Sequence, residues 1–205
     1  MYGSTEALVV TCNRPADPIE QRLHTDGAAL PGVEIRTRAD DGRVCASGEP
    51  GEIEVRTWQR AVGYFGDPER TAATFTADGW VRSGDLGVID DHGALSIVGR
   101  KKEIIIRGGL NITPREIEEI LLAFDEVERC AVIGVPDQRL GERVCACVCL
   151  RAGATLELDD MVDRLRAAGL ATYKLPQLLH VVDELPATAS GKIQKHVLRE
   201  EARAL

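Results

Sequence analysis

Near the C-terminus the run Leu185-Pro186-Ala187-Thr188-Ala189-Ser190-Gly191-Lys192-Ile193-Gln194-Lys195 presents one lysine from a stretch of small residues. A Walker-type phosphate loop needs Gly-x-x-x-x-Gly-Lys followed by Ser or Thr. Here Pro186 stands in place of the first glycine and Ile193 follows the lysine, so that reading fails at both ends. What remains is a cation, Lys192, carried on a mobile loop, or else a solvated surface turn, since Ser and Gly mark turns for purely conformational reasons.

Two further segments hold groups suited to chemistry. In Ser83-Gly84-Asp85-Leu86-Gly87, directly after an apolar Trp80-Val81 pair, the Asp85 carboxylate could accept hydrogen bonds from two vicinal hydroxyls. Such charge-assisted bonds contribute roughly 1.5 to 3 kcal/mol each. The same aspartate could equally satisfy backbone amides of its own turn. At the N-terminus, Tyr2-Gly3-Ser4-Thr5-Glu6 sets an aromatic ring and a glycine before a hydroxyl and a carboxylate. A nucleotide would use all of these: ring against base, hydroxyl on a phosphate oxygen, carboxylate for a hard cation.

With Gly99-Arg100-Lys101-Lys102-Glu103 running into Arg107-Gly108-Gly109-Leu110-Asn111-Ile112 and Glu116-Ile117-Glu118, these segments resemble, in order and wording, the C-terminal half of the adenylate-forming (AMP-binding) superfamily. That superfamily comprises acyl- and aryl-CoA synthetases, luciferases and nonribosomal adenylation domains, and the resemblance covers essentially the whole chain. It implies that Asp85 binds the ATP ribose and that Arg100 joins it at the ribose and phosphate. It also implies that Tyr2 flanks the adenine, Thr5 meets the α-phosphate and Glu6 supports Mg²⁺. Gly3 would permit close backbone approach to the substrate. Lys102 occupies the family's hinge position, and Gly108 and Gly109 lie where the pantetheine thiol of coenzyme A would pass, although a tight turn needing positive φ explains that pair equally well. Lys192 would bridge the acyl carboxylate and the nucleotide, and lysines in this position are acetylation targets in CoA synthetases.

The function so implied is that of the C-terminal fragment of an ATP-dependent acyl-CoA synthetase, an acid-thiol ligase: carboxylate and ATP give acyl-AMP and pyrophosphate, and CoA then displaces AMP. The wording Lys-Glu-Ile-Ile-Ile-Arg-Gly-Gly-Leu-Asn-Ile from Lys102 resembles CoA ligases more than peptide-synthetase domains, and His24–Arg36 resembles medium-chain or alicyclic carboxylate ligases. The family's Ser/Thr/Gly-rich phosphate loop and most of its acyl pocket precede the Tyr2 motif and are missing from this chain. The expectation is therefore a fragment that needs an N-terminal portion as partner and does not complete adenylation alone. Two alternatives are an adenylating domain that loads a carrier protein and a catalytically silent nucleotide- or partner-binding module.

The elements that must hold these groups are legible as changes of period. From Pro31 to Val98 short alternating strands (Val33–Arg36, Glu52–Arg56, Trp80-Val81, Val88-Ile89, Ala94–Val98) are cut by Asp-Gly and Pro-Gly turns. Asp67-Pro68-Glu69 opens one short helix among them. Past Arg100 the pattern predicts a hairpin of 103–107 and 110–112 about Gly108-Gly109. A helix follows from a Thr113-Pro114-Arg115-Glu116 capping box to about Phe124. Strands at 130–135, 144–150 and 178–182 enclose a helix over about 156–168 that Gly169 stops, and a helix from Lys195 comes last. The fold class is α+β: an antiparallel, β-barrel-like subdomain over residues 1–99, then a mobile α+β domain over 100–205 with a short mixed sheet flanked by helices.

Composition sets outer bounds. The 33 acids against 25 bases leave a net charge of -8, which opposes nucleic acid as a bulk partner. No apolar run approaches the roughly 20 residues of a membrane span, no signal-peptide pattern opens the chain, and a cytoplasmic location is the expectation. Of the six cysteines, Cys145, Cys147 and Cys149 alternate along one strand with no CxxC spacing and no nearby His, so they read as small core side chains rather than zinc ligands.

Overall fold

The structure, a computed structural model, describes residues 1–202. The chain divides into two compact units, Met1–Lys102 and a second that begins at Glu103.

In the first unit, alternation of apolar and polar residues builds seven strands: β1 (Tyr2–Ser4), β2 (Leu8–Cys12), β3 (Gly27–Ala29), β4 (Val33–Arg38), β5 (Gly51–Thr57), β6 (Val81–Ile89) and β7 (Ala94–Arg100). All pair antiparallel, in the order β1-β2-β3-β7-β6-β5-β4. The expected barrel is an open sheet: among the described residues no pairing joins the end strands β1 and β4. Period-two alternation sorts the two faces of β5. Ile53 and Val55 enter a core with Val10, Val33 and Leu95, while Glu54 points the other way, where Arg36 and Arg38 donate to it at 2.7 and 2.9 Å. A carboxylate only 1% exposed persists there because the arginines offset its desolvation. Two short helices, α1 (Ile19–His24) and α2 (Pro68–Thr74), link the strands. In α2 the Asp67 side chain caps the Arg70 amide and Pro68 occupies the first turn, as the sequence predicts.

The second unit follows a single 3₁₀ turn at Lys101–Glu103. Strand β8 (Ile105–Arg107) pairs with β9 (Leu110–Ile112), and helix α3 (Pro114–Leu121) comes next. Thr113 takes the N-cap position, but its side chain makes no capping bond. The Glu116 carboxylate instead accepts from Lys174 Nζ at 2.8 Å, so the expected capping box is not formed. Strands β10 (Val127–Asp137) and β11 (Gly141–Leu150) form the long central hairpin. Helix α4 (Leu158–Ala167), strand β12 (Leu178–Val181) and helix α5 (Lys195–Glu201) complete the unit. Strand β12 runs parallel to β11, so the sheet is mixed.

Both faces of this sheet are covered. Val132, Val144, Ala146 and Val148 pack with Ile117 and Leu121 of α3 and with Met161 and Leu165 of α4. Ala131, Ile133, Cys145 and Cys147 pack with Leu185 and with Leu198 of α5. Cys145 and Cys147 of the stripe are therefore core, with Cys149 partly buried beside them, and the hydrogen bond with Cys145, with burial added to it, raises the Cys147 thiol far above its ordinary pKa. Among the described residues no helix is long and apolar enough to cross a membrane.

Candidate functional site

Asp85 lies inside β6, not in a turn. Glu52 of β5 pairs with Leu86 and Glu54 pairs with Arg82, so Ser83, Gly84 and Asp85 bulge opposite the single residue Ile53. Gly84 supplies the φ of +71° that the bulge requires. Ser83 Oγ ties the bulge down, donating to the Ile53 carbonyl at 2.8 Å and accepting from the Asp85 amide at 3.1 Å. The sequence reading of a Gly-containing turn thus located the irregularity correctly but broke a continuous strand in two.

The bulge re-aims the Asp85 side chain into a polar cluster. Arg100, its cross-strand partner on β7, places Nε 2.8 Å from Oδ1. The Tyr2 hydroxyl donates to Oδ2 at 3.0 Å. At 7% exposure Asp85 is nearly buried, and these two contacts offset the cost of removing its charge from water. Burial, the first cause, and the adjacent Asp85 charge raise the Tyr2 phenol well above its usual pKa, so it remains a neutral donor. A carboxylate has about four acceptor positions. The Tyr2 hydrogen bond takes one and the Arg100 ion pair stands at the other oxygen, so acceptor positions remain for the two hydroxyls of a vicinal diol.

Glu6 and Thr5 lie in the tight turn between β1 and β2, with Thr5 exposed. The Tyr64 hydroxyl donates to Glu6 Oε1 at 2.7 Å and holds that carboxyl below its ordinary pKa. Tyr64 is itself pinned, with the Arg70 guanidinium 3.9 Å over its ring and Phe75 edge-on at 5.8 Å. Sequence reasoning passed over Tyr64; the signal available was its place in Gly63-Tyr64-Phe65-Gly66, just before the capped start of α2. Glu6 is an ionised, half-exposed hard oxygen donor, which suits Mg²⁺. Among the described residues no group of three His, Cys, Asp or Glu side chains forms a metal cage. Such a lone carboxylate matches an ion that draws its other ligands from water and substrate phosphates. Gly3 has a different reason for its identity: a Cβ there would collide with the Leu8 carbonyl of the adjacent strand. Its space is taken by the chain itself.

The remaining candidates sit singly. Lys102 is exposed on the 3₁₀ turn. Gly108 and Gly109 hold φ of +58° and +81°, the pair of positive values that a two-residue hairpin between β8 and β9 demands. A Cβ on Gly109 would meet nothing within 4 Å. Lys192 is exposed at a turn closed by an Ala187–Ile193 bridge and by the Thr188 amide bonded to the Lys192 carbonyl at 2.9 Å. Among the described residues it has no carboxylate partner. Lys195, three positions on, is paired to Glu103 and Glu118 at 2.9 and 2.8 Å. Of the two lysines in the motif, only Lys192 has its charge available to a ligand.

Two family models match the chain, that of the AMP-binding enzyme over residues 1–65 and that of the AMP-binding enzyme C-terminal domain over residues 116–192. A methyl-dioxo-octahydroindenyl propanoyl:CoA ligase of Rhodococcus jostii (strain RHA1) is 44% identical over 98% of this chain and 37% of its own length. The medium-chain fatty-acid–CoA ligase of Escherichia coli (strain K12) is 42% identical over 98% of this chain and 36% of its own length. The chain thus spans little more than a third of these curated relatives. The solved structure of ATP-bound MatB from Rhodopseudomonas palustris, 39% identical, superposes with a TM-score of 0.90 over 98% of this chain and 40% of that one. With the two models matched in order and CoA ligases among its relatives, the chain belongs to the AMP-binding, adenylate-forming enzyme family and carries that family's C-terminal domain.

Proposed function

We propose that this chain is the C-terminal part of an ATP-dependent acyl-CoA synthetase, acting on a carboxylate with ATP to give acyl-AMP and then with CoA to give the thioester. The observation that carries this reading is the nearly buried Asp85 carboxylate, held at one oxygen by Tyr2 and at the other by Arg100, in a chain of this family. The ribose hydroxyls donate to the two acceptor positions left on Asp85, and the Tyr2 ring lies along the adenine. Thr5 donates to the α-phosphate. Glu6 holds Mg²⁺, which when bound neutralises phosphate charge. The names of the relatives at 44% and 42% identity support CoA as acceptor and a medium-chain or alicyclic acid as substrate.

Lys192 offsets the negative charge that gathers as the carboxylate attacks the α-phosphorus and pyrophosphate departs. Preorganised electrostatic stabilisation of this type is typically worth roughly 10²- to 10³-fold in rate. Lys102 is the hinge between the two half-reactions, and Gly108 and Gly109 leave room for the pantetheine arm in the second. The phosphate loop and acyl pocket come from the N-terminal portion of the enzyme, so this chain alone gives background activity with ATP and any carboxylate.

Separate assay of the half-reactions tests the assignment. In the full-length ligase, Lys192→Ala slows acyl-AMP formation by about 10²-fold or more, while presynthesised acyl-AMP and CoA still give thioester at a near-normal rate. Equal loss in both halves, or robust turnover by this chain alone, overturns it.

A further inference from the structure

Lys195 occupies a position that local preference argues against. It is the first residue of α5, where the free amide groups carry partial positive charge and a cation is disfavoured. Its side chain is nonetheless only 15% exposed. The compensation is tertiary: Nζ lies 2.8 Å from Glu118 Oε1 on α3 and 2.9 Å from Glu103 Oε2, the residue that directly follows Lys102. Glu118 is fixed in its turn, since the same Oε1 accepts from the Val132 amide of β10 at 2.7 Å. A residue that defies its local environment to close a three-element tie marks a position where tertiary contacts override local preference.

The tie lies at one foot of the turn that presents Lys192. At the other foot Leu185 is buried in the core at 1% exposure. Between the feet the Gln194 amide donates to the Pro186 carbonyl at 2.7 Å, and the Lys192 amide to Thr188 Oγ1 at 3.2 Å. The turn is short, self-bonded and exposed, so its placement depends on its feet.

We propose that Lys195 is a positioning residue for Lys192: its paired contacts with Glu118 and Glu103 set the point from which Lys192 reaches the reacting groups. The inference rests on the assignment of Lys192 to adenylation, and it adds a physical link between the lysine turn and the residue following Lys102. Lys195 itself stays bound to its carboxylates and touches no substrate. Its removal takes away the cation that Glu103 and Glu118 share and frees the start of α5.

Two measurements test this, one of them independent of catalysis. In the present chain, Lys195→Met accelerates amide hydrogen exchange at Thr188, Gly191 and Lys192 by roughly tenfold, with core strands β10 and β11 unaffected, and Lys195→Arg keeps wild-type protection. In the full-length ligase, Lys195→Met lowers kcat for acyl-AMP formation by between about 10- and 100-fold, with KM for ATP and the thioester half-reaction unchanged, and Lys195→Arg restores it. Glu118→Gln, which retains an acceptor for the Val132 amide, gives a weaker form of the same split and serves if Lys195→Met does not fold. Unchanged exchange in the turn, or equal loss in both half-reactions, overturns the proposal. If Lys192→Ala leaves adenylation intact while exchange still responds to Lys195→Met, the catalytic assignment of Lys192 fails and the anchoring role of Lys195 stands.

Discussion

The phenol of Tyr2 hydrogen-bonds Asp85 at 3.0 Å, although 83 positions separate them in sequence and three strands, β2, β3 and β7, lie between theirs in the sheet. In a flat sheet those two strands would stand roughly 19 Å apart, beyond the combined reach of the two side chains. The sheet therefore curls until β1 faces β6, and this curvature, with the bulge at Ser83–Asp85, assembles the polar cluster.

On the proposed ribose-binding role of Asp85, removal of that cluster's acceptor weakens nucleotide binding. In the full-length ligase, Asp85→Ala costs on the order of 2 to 4 kcal/mol in AMP affinity by calorimetry, because two charge-assisted ribose contacts are lost together. Tyr2→Phe, which keeps the ring and removes only one support, costs about 1 to 2 kcal/mol. Unchanged AMP affinity in Asp85→Ala would reduce that residue to a structural role in the bulge.

Gly109 allows conformation and passage to be separated. Asn adopts positive φ with little strain, so Gly109→Asn leaves the β8–β9 hairpin and the melting temperature nearly unchanged. Gly109→Leu adds bulk at an open position, with some strain at its φ of +81°, and on the proposed passage of the thiol it spares adenylation while it slows thioester formation from acyl-AMP and CoA. If Gly109→Leu forms thioester as fast as Gly109→Asn, no thiol passes this hairpin.

The stability of the second unit rests on the layer between α3, α4 and the sheet. Leu165 is fully buried there with Met161 and Ile117, so Leu165→Ala lowers unfolding free energy by about 2 to 5 kcal/mol in urea titration. Glu119→Ala, on the exposed side of α3, stays within about 0.5 kcal/mol. Similar values for the two would contradict this packing.

The Arg164 guanidinium donates to Glu126 at 3.1 Å and pulls that carboxyl from 4.5 down to about 2. A carboxyl whose pKa is depressed in the folded state contributes stability that is fully present above pH 4.5 and is lost as pH falls toward about 2. Near the surface the contribution is small and screened by salt. Melting temperature followed from pH 5 to pH 2 falls less steeply in Glu126→Gln than in the wild type at low ionic strength. Parallel curves for the two proteins would remove Glu126 from the acid response.

Much of the local architecture was legible. Asp67-Pro68 announced α2, Gly108-Gly109 announced a hairpin, and the alternating cysteines announced a core strand, because caps, turns and period-two burial depend on residues close in sequence. Strands β1 to β3 and helix α1 escaped notice. Gly27–Ala29 has almost no strand preference of its own and is extended because β2 and β7 flank it on both sides. The β6 strand was misread for the opposite reason, since Gly84 breaks a strand in most settings and here forms a bulge that ladder bonds on either side hold in place.

By itself the sequence determined which groups are available: an aspartate in a Ser-Gly-Asp run, a tyrosine and a carboxylate flanking Thr5, and two lysines beside Gly191. Tertiary structure alone decided their states. Asp85 received Tyr2 and Arg100, Glu6 received Tyr64 from 58 positions away, and Lys195 was paired to Glu118 from 77 positions away while Lys192 was left exposed. Side-chain chemistry is set by type, but a charge is freed or committed by what the path of the chain brings within about 3 Å of it, and that path is fixed by packing of the whole sheet.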